Sequence, residues 1–249
     1  MQDGSHVFLR CPVSAALRSP ISFAAFGLAG ASFGPPPGAT LQARQVYGLW
    51  EIFLAAAVGV AAVVYGLIFW SILKYRKRGD ELPPQFRENV PLEIAYTTIP
   101  LLIVAVLFVL TYRTEAFVDR VSTVADPPVT IRVTGFQWSW RFQYEGTLLQ
   151  VSGTPDHPPQ AVVPTGTPVR FILDSADVMH AFWIPAFLFK RDTMPGITNQ
   201  VELTVTQPGT YLGECAEFCG LDHTRMLFTI KAVSPEEYRR WLRHPEGGP

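Results

Sequence analysis

The chain has 249 residues, of which 48% are hydrophobic and only 16% are charged, with a mean hydropathy of +0.19 and a formal net charge of −1. Soluble domains carry about 25% charged residues, so this composition indicates a membrane-embedded part and argues against a disordered chain. A net charge near zero removes the electrostatic basis for binding nucleic acid. Three cysteines are too few for a disulfide-dense secreted scaffold.

The first 46 residues resemble a secretory signal segment. Arg10 and Arg18 precede an apolar stretch at 21–31, which is followed by small residues and three consecutive prolines. An irregular extracytoplasmic tail is the alternative. Cys11 lacks the preceding small apolar residues of a lipoprotein cysteine, and we interpret it as incidental. We therefore assign residues 1–46 to a signal-like or extracytoplasmic segment.

Two long runs without any charge follow, at 52–73 and 94–112. A helix rises 1.5 Å per residue and the hydrocarbon core needs about 20 residues, so both runs are long enough to span a membrane. Pro100 falls within the second run, which a membrane helix tolerates. Buried core helices of a soluble protein are the disfavoured alternative. We assign residues 47–113 to a transmembrane hairpin.

The loop between the spans sets the predicted orientation. Four of the five residues at 74–78 are basic, which is typical of a cytoplasmic loop. This predicts a multi-pass protein of the cell membrane with the loop 74–90 in the cytoplasm. The N-terminus and everything after the second span then lie on the extracytoplasmic face.

The C-terminal half has short alternating apolar runs separated by Pro and Gly, which predict strands of an antiparallel sandwich or barrel. The predicted strands lie at 129–133, 169–173, 201–205, 211–214 and 227–233. A serine cap, a proline and two acids at 234–237 predict a short helix that extends to Trp241.

A loop at 214–226 concentrates the candidate chemistry. It contains Cys215, Cys219, His223 and Met226, which are donors suited to copper, zinc or iron–sulfur. Alone, the two cysteines could form a disulfide, and the His or Met could be packing residues. Together, with Gly220 allowing a sharp turn, they favour a metal site.

His180 is a further ligand candidate, at the end of the strand at 169–173. A distant His with a Cys…His…Met loop is the arrangement by which a cupredoxin barrel holds blue copper, but that site uses a single thiolate. Two thiolates, two imidazoles, a thioether and a carbonyl can complete two four-coordinate coppers. Zinc is the alternative metal, although Met is an unusual zinc ligand.

These features resemble the cytochrome c oxidase subunit 2 family over about residues 47–242. The resemblance rests on the hairpin and on motifs at 93–97, 135–140, 178–180, 190–196 and 215–226. It implies a transmembrane α-helical hairpin of two spans followed by an all-β cupredoxin-like Greek-key barrel. The barrel, with its short C-terminal helix, would be an extracytoplasmic copper A domain at 114–249. Ser139 is a mild departure, since the family often has Tyr there.

The resemblance also implies a set of site residues. Glu217 would contribute its backbone carbonyl to copper and its side chain to a Mg or Mn ion shared with subunit 1. Trp138 would accept electrons from cytochrome c, and Glu93 would serve proton uptake. The ligands of the binuclear copper A centre would be His180, Cys215, Glu217, Cys219, His223 and Met226.

The implied partners are the haem-bearing subunit 1, further oxidase subunits, cytochrome c and membrane lipid, without nucleic acid. Acids near the ligands in sequence would form a rim that steers a basic cytochrome c. They are Asp174, Asp177, Glu214 and Asp222. Oxygen would be reduced in subunit 1.

Three kinds of protein compete with this interpretation. A quinol oxidase subunit shares the fold but lacks the copper ligands. The copper A subunit of a nitric oxide reductase and a membrane-tethered copper-binding protein would both retain them. Glu93 could simply be an interfacial residue, and Trp138 and Trp140 could both fill the barrel core.

Overall fold

A computed structural model describes residues 34–77, 79, 85–122 and 129–245. The expectations for residues 1–33, including the signal-like segment and Cys11, lie outside these residues, as does part of the basic loop.

Two long helices form the N-terminal part. Helix α1 spans Leu41–Lys74, and helix α2 spans Val90–Val118. Both are long and apolar enough to cross a membrane, and no residue of their most apolar stretches is buried, as expected where lipid surrounds a helix. Helix α1 begins before residue 47 and α2 ends after residue 113, so each helix extends beyond its uncharged run toward the β domain. Helix α2 continues through Pro100.

The helices begin with side-chain caps. The Thr40 hydroxyl accepts a hydrogen bond from the Ala43 amide at 2.9 Å, and the Asn89 side chain accepts one from the Leu92 amide at 3.3 Å. Each cap satisfies an amide that has no partner inside the helix. The two helix starts are therefore specified locally by the sequence.

The C-terminal part contains two five-stranded sheets packed face to face. In spatial order, the first sheet contains β3 (Gln150–Ser152), β2 (Ser139–Tyr144), β1 (Thr130–Phe136), β5 (Val169–Ser175) and β8 (Asn199–Leu203). The second contains β4 (Gln160–Pro164), β10 (Leu227–Val233), β9 (Gly209–Cys215), β6 (His180–Ile184) and β7 (Phe189–Thr193). Helix α3 (Pro235–Arg243) closes the domain.

The strand pairing differs from the antiparallel expectation at two places. Strand β1 pairs with β5 in parallel, and β4 pairs with β10 in parallel. Between β3 and β5 the chain crosses into the second sheet as β4, so β5 returns beside β1 in the same direction. These crossovers between two sheets make the domain a cupredoxin-like Greek-key sandwich.

Aromatic side chains fill the space beneath the candidate site. Phe182 of β6 stacks on Phe228 of β10 with ring centroids 4.8 Å apart, and Trp140 of β2 meets both rings edge-on. All three side chains are fully buried. Burying such a ring contributes roughly 1.5–3 kcal/mol, and aromatic pairs add about 0.5–1.5 kcal/mol. The stack holds β2, β6 and β10 in fixed positions.

Helix α3 follows the capping pattern that predicted it. The Ser234 hydroxyl accepts the Glu237 amide at 3.2 Å, and the Glu237 carboxylate accepts the Ser234 amide at 3.0 Å. Trp241 packs edge-on against Tyr144 at 5.2 Å, which covers the end of the sandwich. The helix continues to Arg243.

Candidate metal centre

The fold brings the predicted ligands together at one end of the second sheet. His180 begins β6 and Cys215 ends the neighbouring strand β9, where Phe182 pairs with Cys215 across the ladder. The loop after β9 then turns back, and the Cys215 amide donates a hydrogen bond to the Met226 carbonyl at 3.1 Å. Two segments that are distant in sequence, the start of β6 and the loop that begins at Cys215, therefore meet at one point.

Two thiols lie at the centre of the cluster. The sulfur atoms of Cys215 and Cys219 are 3.9 Å apart, and both cysteines are free. The His180 Nδ1 atom lies 3.9 Å from the Cys215 sulfur, and the His223 Nδ1 atom lies 3.5 Å from the Cys219 sulfur. Each thiol thus has its own imidazole neighbour.

Two further donors complete the surroundings. The Met226 sulfur lies 3.7 Å from the Cys219 sulfur, and the Glu217 carbonyl oxygen lies 3.2 Å from the Cys215 sulfur. The six donors exceed the four of a tetrahedral zinc site. A pair of soft metal ions that share the two thiolates fits this donor set, whereas a disulfide would leave both imidazoles without a role. His180, Cys215 and Cys219 form the compact part of the cluster, with ligand atoms within 4.8 Å of one another.

The Asp177 carboxylate orients the His180 ring from the side opposite the thiols. Its Nε2 atom lies 2.9 Å from the Asp177 carboxylate, whose other oxygen accepts the Gln137 amide at 2.7 Å. This contact leaves Nδ1 directed toward the thiols, and a carboxylate on the far nitrogen is the usual support of a metal-binding His. Burial opposes ionisation of Asp177, but the Gln137 amide and His180 hold its pKa below the ordinary range.

Two glycines, Gly135 and Gly220, allow the chain to pack closely around the candidate ligands. A Cβ atom at Gly135 would lie 2.9 Å from the His180 ring, so β1 can pass beneath the ring only with glycine at this position. Gly220 has φ +120°, in the region that favours glycine, and a Cβ there would press on Trp138. The predicted sharp turn at Gly220 is confirmed.

The two thiols have different acidities in the metal-free protein. Burial disfavours the Cys215 thiolate, but hydrogen bonding from His180, together with that from the Ala181 and Glu217 backbone and from Cys219, lowers the pKa of Cys215 to about 7. Burial and the negative charge of Cys215 raise the pKa of Cys219 to about 12. Because metals bind the thiolate, loading the site requires release of the Cys219 proton.

Trp138 forms a hydrogen bond with the loop 214–226, which contains the candidate ligands. Its half-buried indole donates from Nε1 to the Cys219 carbonyl at 3.2 Å, and the Gln137 side-chain amide donates to the same oxygen at 2.7 Å. Trp140 is fully buried and donates to the Met226 carbonyl at 3.3 Å. The core role weighed for Trp140 is confirmed. The contact of Gln137 was missed, since its only sequence signal was its place in the aromatic motif.

Glu93 lies away from this cluster, in the first turn of α2. Its side chain is exposed to the surroundings of the helix and accepts a hydrogen bond from the Asn89 amide at 3.2 Å. The β domain is joined to the other end of α2, so the structure does not bring Glu93 to the metal ligands.

The acids predicted to form a rim are partly neutralised. Asp174 lies 3.9 Å from the Arg132 guanidinium, and Asp222 lies 3.2 Å from that of Arg225. Asp177 supports His180. The rim near the ligands therefore carries less free negative charge than the sequence suggests.

The fold and the site define a membrane-anchored cupredoxin-type protein with a candidate metal site rich in cysteine and histidine. Two sequence families match the chain: "Cytochrome C oxidase subunit II, transmembrane domain" at residues 30–113, and "Cytochrome C oxidase subunit II, periplasmic domain" at residues 155–233. The chain belongs to the cytochrome c oxidase subunit 2 family and is an oxidase subunit in the membrane with an extracytoplasmic domain.

Two relatives agree with this assignment by sequence. The probable cytochrome c oxidase subunit 2 of Streptomyces coelicolor is 39% identical over 250 residues, covering 84% of this chain and 78% of that protein. Cytochrome c oxidase subunit 2 of Mycobacterium bovis is 34% identical over 271 residues, with 84% and 74% coverage. The crystal structure of the periplasmic domain of subunit II (CoxB) of Bradyrhizobium japonicum overlaps with a TM-score of 0.44 at 31% identity, covering 49% of this chain and 95% of that one.

Proposed function

We propose that this chain accepts electrons from a cytochrome c at a binuclear copper A centre and passes them to the haem–copper oxygen-reducing centre of subunit 1, coupled to proton translocation. The observation that carries the proposal is the central pair of free thiols, 3.9 Å apart, with one imidazole beside each. The proposed ligands are His180, Cys215, the Glu217 carbonyl, Cys219, His223 and Met226.

The protein's own contribution is to hold these donors in place. These residues would hold a binuclear copper centre, which would supply one-electron transfer. The aromatic stack of Trp140, Phe182 and Phe228 keeps the strands that carry the ligands rigid and dry. Asp177 fixes the tautomer of His180, so that Nδ1 is free to bind.

We assign the acceptance of electrons to Trp138. Its half-buried ring connects the surface to the Cys219 carbonyl through one hydrogen bond, which supports a path from a docked donor to the ligands. Because several rim acids are paired, we expect electrostatic attraction of a basic cytochrome c to be modest.

Glu217 is proposed to have a second role, at a Mg or Mn ion shared with subunit 1. While its backbone carbonyl faces the Cys215 sulfur, its half-exposed carboxylate has no hydrogen-bond or ionic partner among the described residues. A free carboxylate in the loop 214–226 can supply an oxygen ligand to a hard cation. Further oxidase subunits and membrane lipid are the remaining proposed partners.

The proposed topology places the loop 74–90 in the cytoplasm and the β domain on the outer face. Basic residues at the loop, including Lys74 in the last turn of α1, support this orientation. Residues 1–46 would be signal-like or extracytoplasmic, residues 47–113 the hairpin and 114–249 the copper domain. Glu93 would then lie at the inner membrane face, where a proton path can begin.

Purification of the complete membrane complex tests the proposal. We expect two coppers per copy of this chain, co-purification of a haem-bearing subunit, and turnover with oxygen and reduced cytochrome c. Turnover with nitric oxide in place of oxygen would instead identify a nitric oxide reductase. Copper without any haem-bearing partner would identify a copper-binding or copper-delivery protein.

A further inference from the structure

The start of α1 and the segment that follows α2 both contact the β domain at or just after β8, which is the edge strand of the first sheet. From α1, the Gln42 side-chain amide donates to the Glu202 carbonyl at 3.0 Å and accepts the Thr204 amide at 3.2 Å. The Leu41 amide also donates to the Thr204 carbonyl at 3.0 Å. The start of α1 is therefore attached by three hydrogen bonds, one to Glu202 in β8 and two to Thr204 just after it.

The segment that follows α2 reaches the same strand through Ser122. The Ser122 hydroxyl donates to the Glu202 carboxylate at 2.9 Å, and its amide lies 3.3 Å from the same oxygen. The Arg170 guanidinium donates to the Ser122 carbonyl at 2.8 Å and to Glu202 at 3.3 Å. We call Ser122, Arg170 and Glu202 the hairpin clamp.

The hairpin clamp is well shielded from water. The side chains of Arg170 and Glu202 are only 11% and 13% exposed, and the two residues face each other across the β5–β8 ladder. Ion pairs with this degree of burial are screened much less than surface pairs. Ser122 lies outside the strands, so the strand pair alone does not require its hydrogen bonds. Its role is to attach the linker to the sandwich.

The same strand that contributes Arg170 leads to the metal site. Strand β5 runs from Val169 to Ser175, and the chain then supplies Asp177 and His180. Five residues of extended strand separate the clamp from the site end by about 17 Å. A rotation of the domain by about 5° at the clamp would therefore displace the site end by roughly 1.5 Å.

We propose that the hairpin clamp is a set of positioning residues that fixes the copper domain on the membrane hairpin and thereby sets the rate of electron transfer to the haem subunit. The proposal rests on the proposed function. It predicts that loosening the clamp slows the internal step while leaving donor-to-copper transfer unchanged, because Trp138 and the ligands move as one rigid body with the sandwich.

Two variants test the clamp in the assembled oxidase. Ser122→Ala removes one linker hydroxyl and leaves the Arg170–Glu202 pair intact, whereas Glu202→Gln removes the buried negative charge with little change in shape. Glu145→Gln is the matched control, because Glu145 forms a 3.2 Å pair with Arg132 on the sandwich surface, away from the hairpin.

The first readout does not depend on copper. Arg120 precedes Ser122 in the linker and is exposed, so trypsin cleavage after Arg120 reports opening of the clamp. We expect the fragment that begins at Val121 to appear about tenfold faster in Glu202→Gln, and severalfold faster in Ser122→Ala, than in the wild type. The Glu145→Gln control should match the wild type.

The second readout separates two electron-transfer steps by stopped-flow and flash photolysis. Copper content, the copper spectrum and reduction by the donor should be unchanged in Ser122→Ala, while transfer to haem should slow severalfold. Unchanged transfer to haem in Ser122→Ala, or faster cleavage without slower transfer, overturns the proposal. If Glu202→Gln loses copper while Ser122→Ala behaves as the wild type, the pair only stabilises the sandwich and the proposal is wrong. Absence of copper in the wild-type complex would instead reject the proposed function.

Discussion

The Asp177 carboxylate lies 2.9 Å from His180 Nε2 and supports the candidate metal site rather than forming part of its free surface. Its second oxygen accepts the Gln137 amide at 2.7 Å, and the Val178 amide also donates to the carboxylate, at 2.6 Å. The sequence predicts that Asp177 is one of the rim acids that steer a basic cytochrome c. The structure gives it a role in orienting a ligand.

Asp177→Asn should therefore weaken copper binding. An amide has only one acceptor oxygen, so its NH2 group would face either the Gln137 amide or His180. Loss of such a supporting contact typically lowers metal affinity about 10- to 100-fold. Titration of the metal-free protein with copper against a competing chelator measures the change.

Asp174→Asn is the matched control, because it removes the same charge nearby, from the pair with Arg132. It should leave copper affinity unchanged and reduce donor binding slightly at low salt, where the Debye length is about 30 Å. If Asp177→Asn behaves like Asp174→Asn in both assays, Asp177 acts only through docking.

The full chain should bind two coppers and show the purple spectrum of a mixed-valence centre. Cys219→Ser should abolish this spectrum, because a serine hydroxyl cannot replace a shared thiolate at neutral pH. Copper analysis, absorption and electron paramagnetic resonance measure the outcome. Cys11→Ser is the control for general loss of a cysteine and should retain both coppers.

Two results would contradict this prediction. One is a single copper of the blue type in the wild-type chain. The second is a Cys215–Cys219 disulfide that, after reduction, binds no metal. Zinc in place of copper would be detected by the metal analysis and would exclude one-electron transfer by the site.

The strongest sequence predictions were those with a local physical cause. The uncharged runs predicted helices α1 and α2, and the capping residues Ser234 and Glu237 predicted helix α3. Strands β1 and β5 alternate between buried and partly exposed residues, which is the pattern that predicted them.

Strands β4 and β6 were not predicted, and their burial explains why. In β6, four of the five residues are buried, and in β4 the four residues after Gln160 are buried, so neither has a period of two. The parallel pairings are long-range features that no local pattern specifies. At the site, the ligand types were visible in the sequence, but the support of His180 by Asp177 required the fold.

Glu93→Gln should slow turnover while leaving copper content unchanged. In the structure the Glu93 side chain accepts a hydrogen bond from the Asn89 amide at 3.2 Å, so part of its role is to cap α2. Glutamine keeps an acceptor for this hydrogen bond but cannot release a proton. The substitution therefore separates proton uptake from capping, and turnover of the complex across a wide pH range measures it.

Glu88→Gln is the matched control, since Glu88 is exposed just before the helix and is not part of its first turn. It should leave turnover unchanged. Equal turnover of Glu93→Gln and wild type at every pH would establish Glu93 as an interfacial capping residue.

Trp138→Ala should slow reduction of the copper centre by orders of magnitude while copper content and assembly persist. The indole packs against the loop 214–226 and donates to the Cys219 carbonyl at 3.2 Å, so both the ring and its N–H group are candidates for the effect.

Two further variants separate these contributions. Trp138→Phe keeps an aromatic ring and removes the N–H group. Gln137→Leu removes the second donor to the same carbonyl, at 2.7 Å, and leaves the indole in place. Stopped-flow reduction by cytochrome c should therefore be slow in Trp138→Ala, intermediate in Trp138→Phe and close to wild type in Gln137→Leu. A Gln137→Leu variant as slow as Trp138→Ala would assign the effect to the hydrogen bonds that hold the loop, and an unchanged rate in Trp138→Ala would make the tryptophan purely structural.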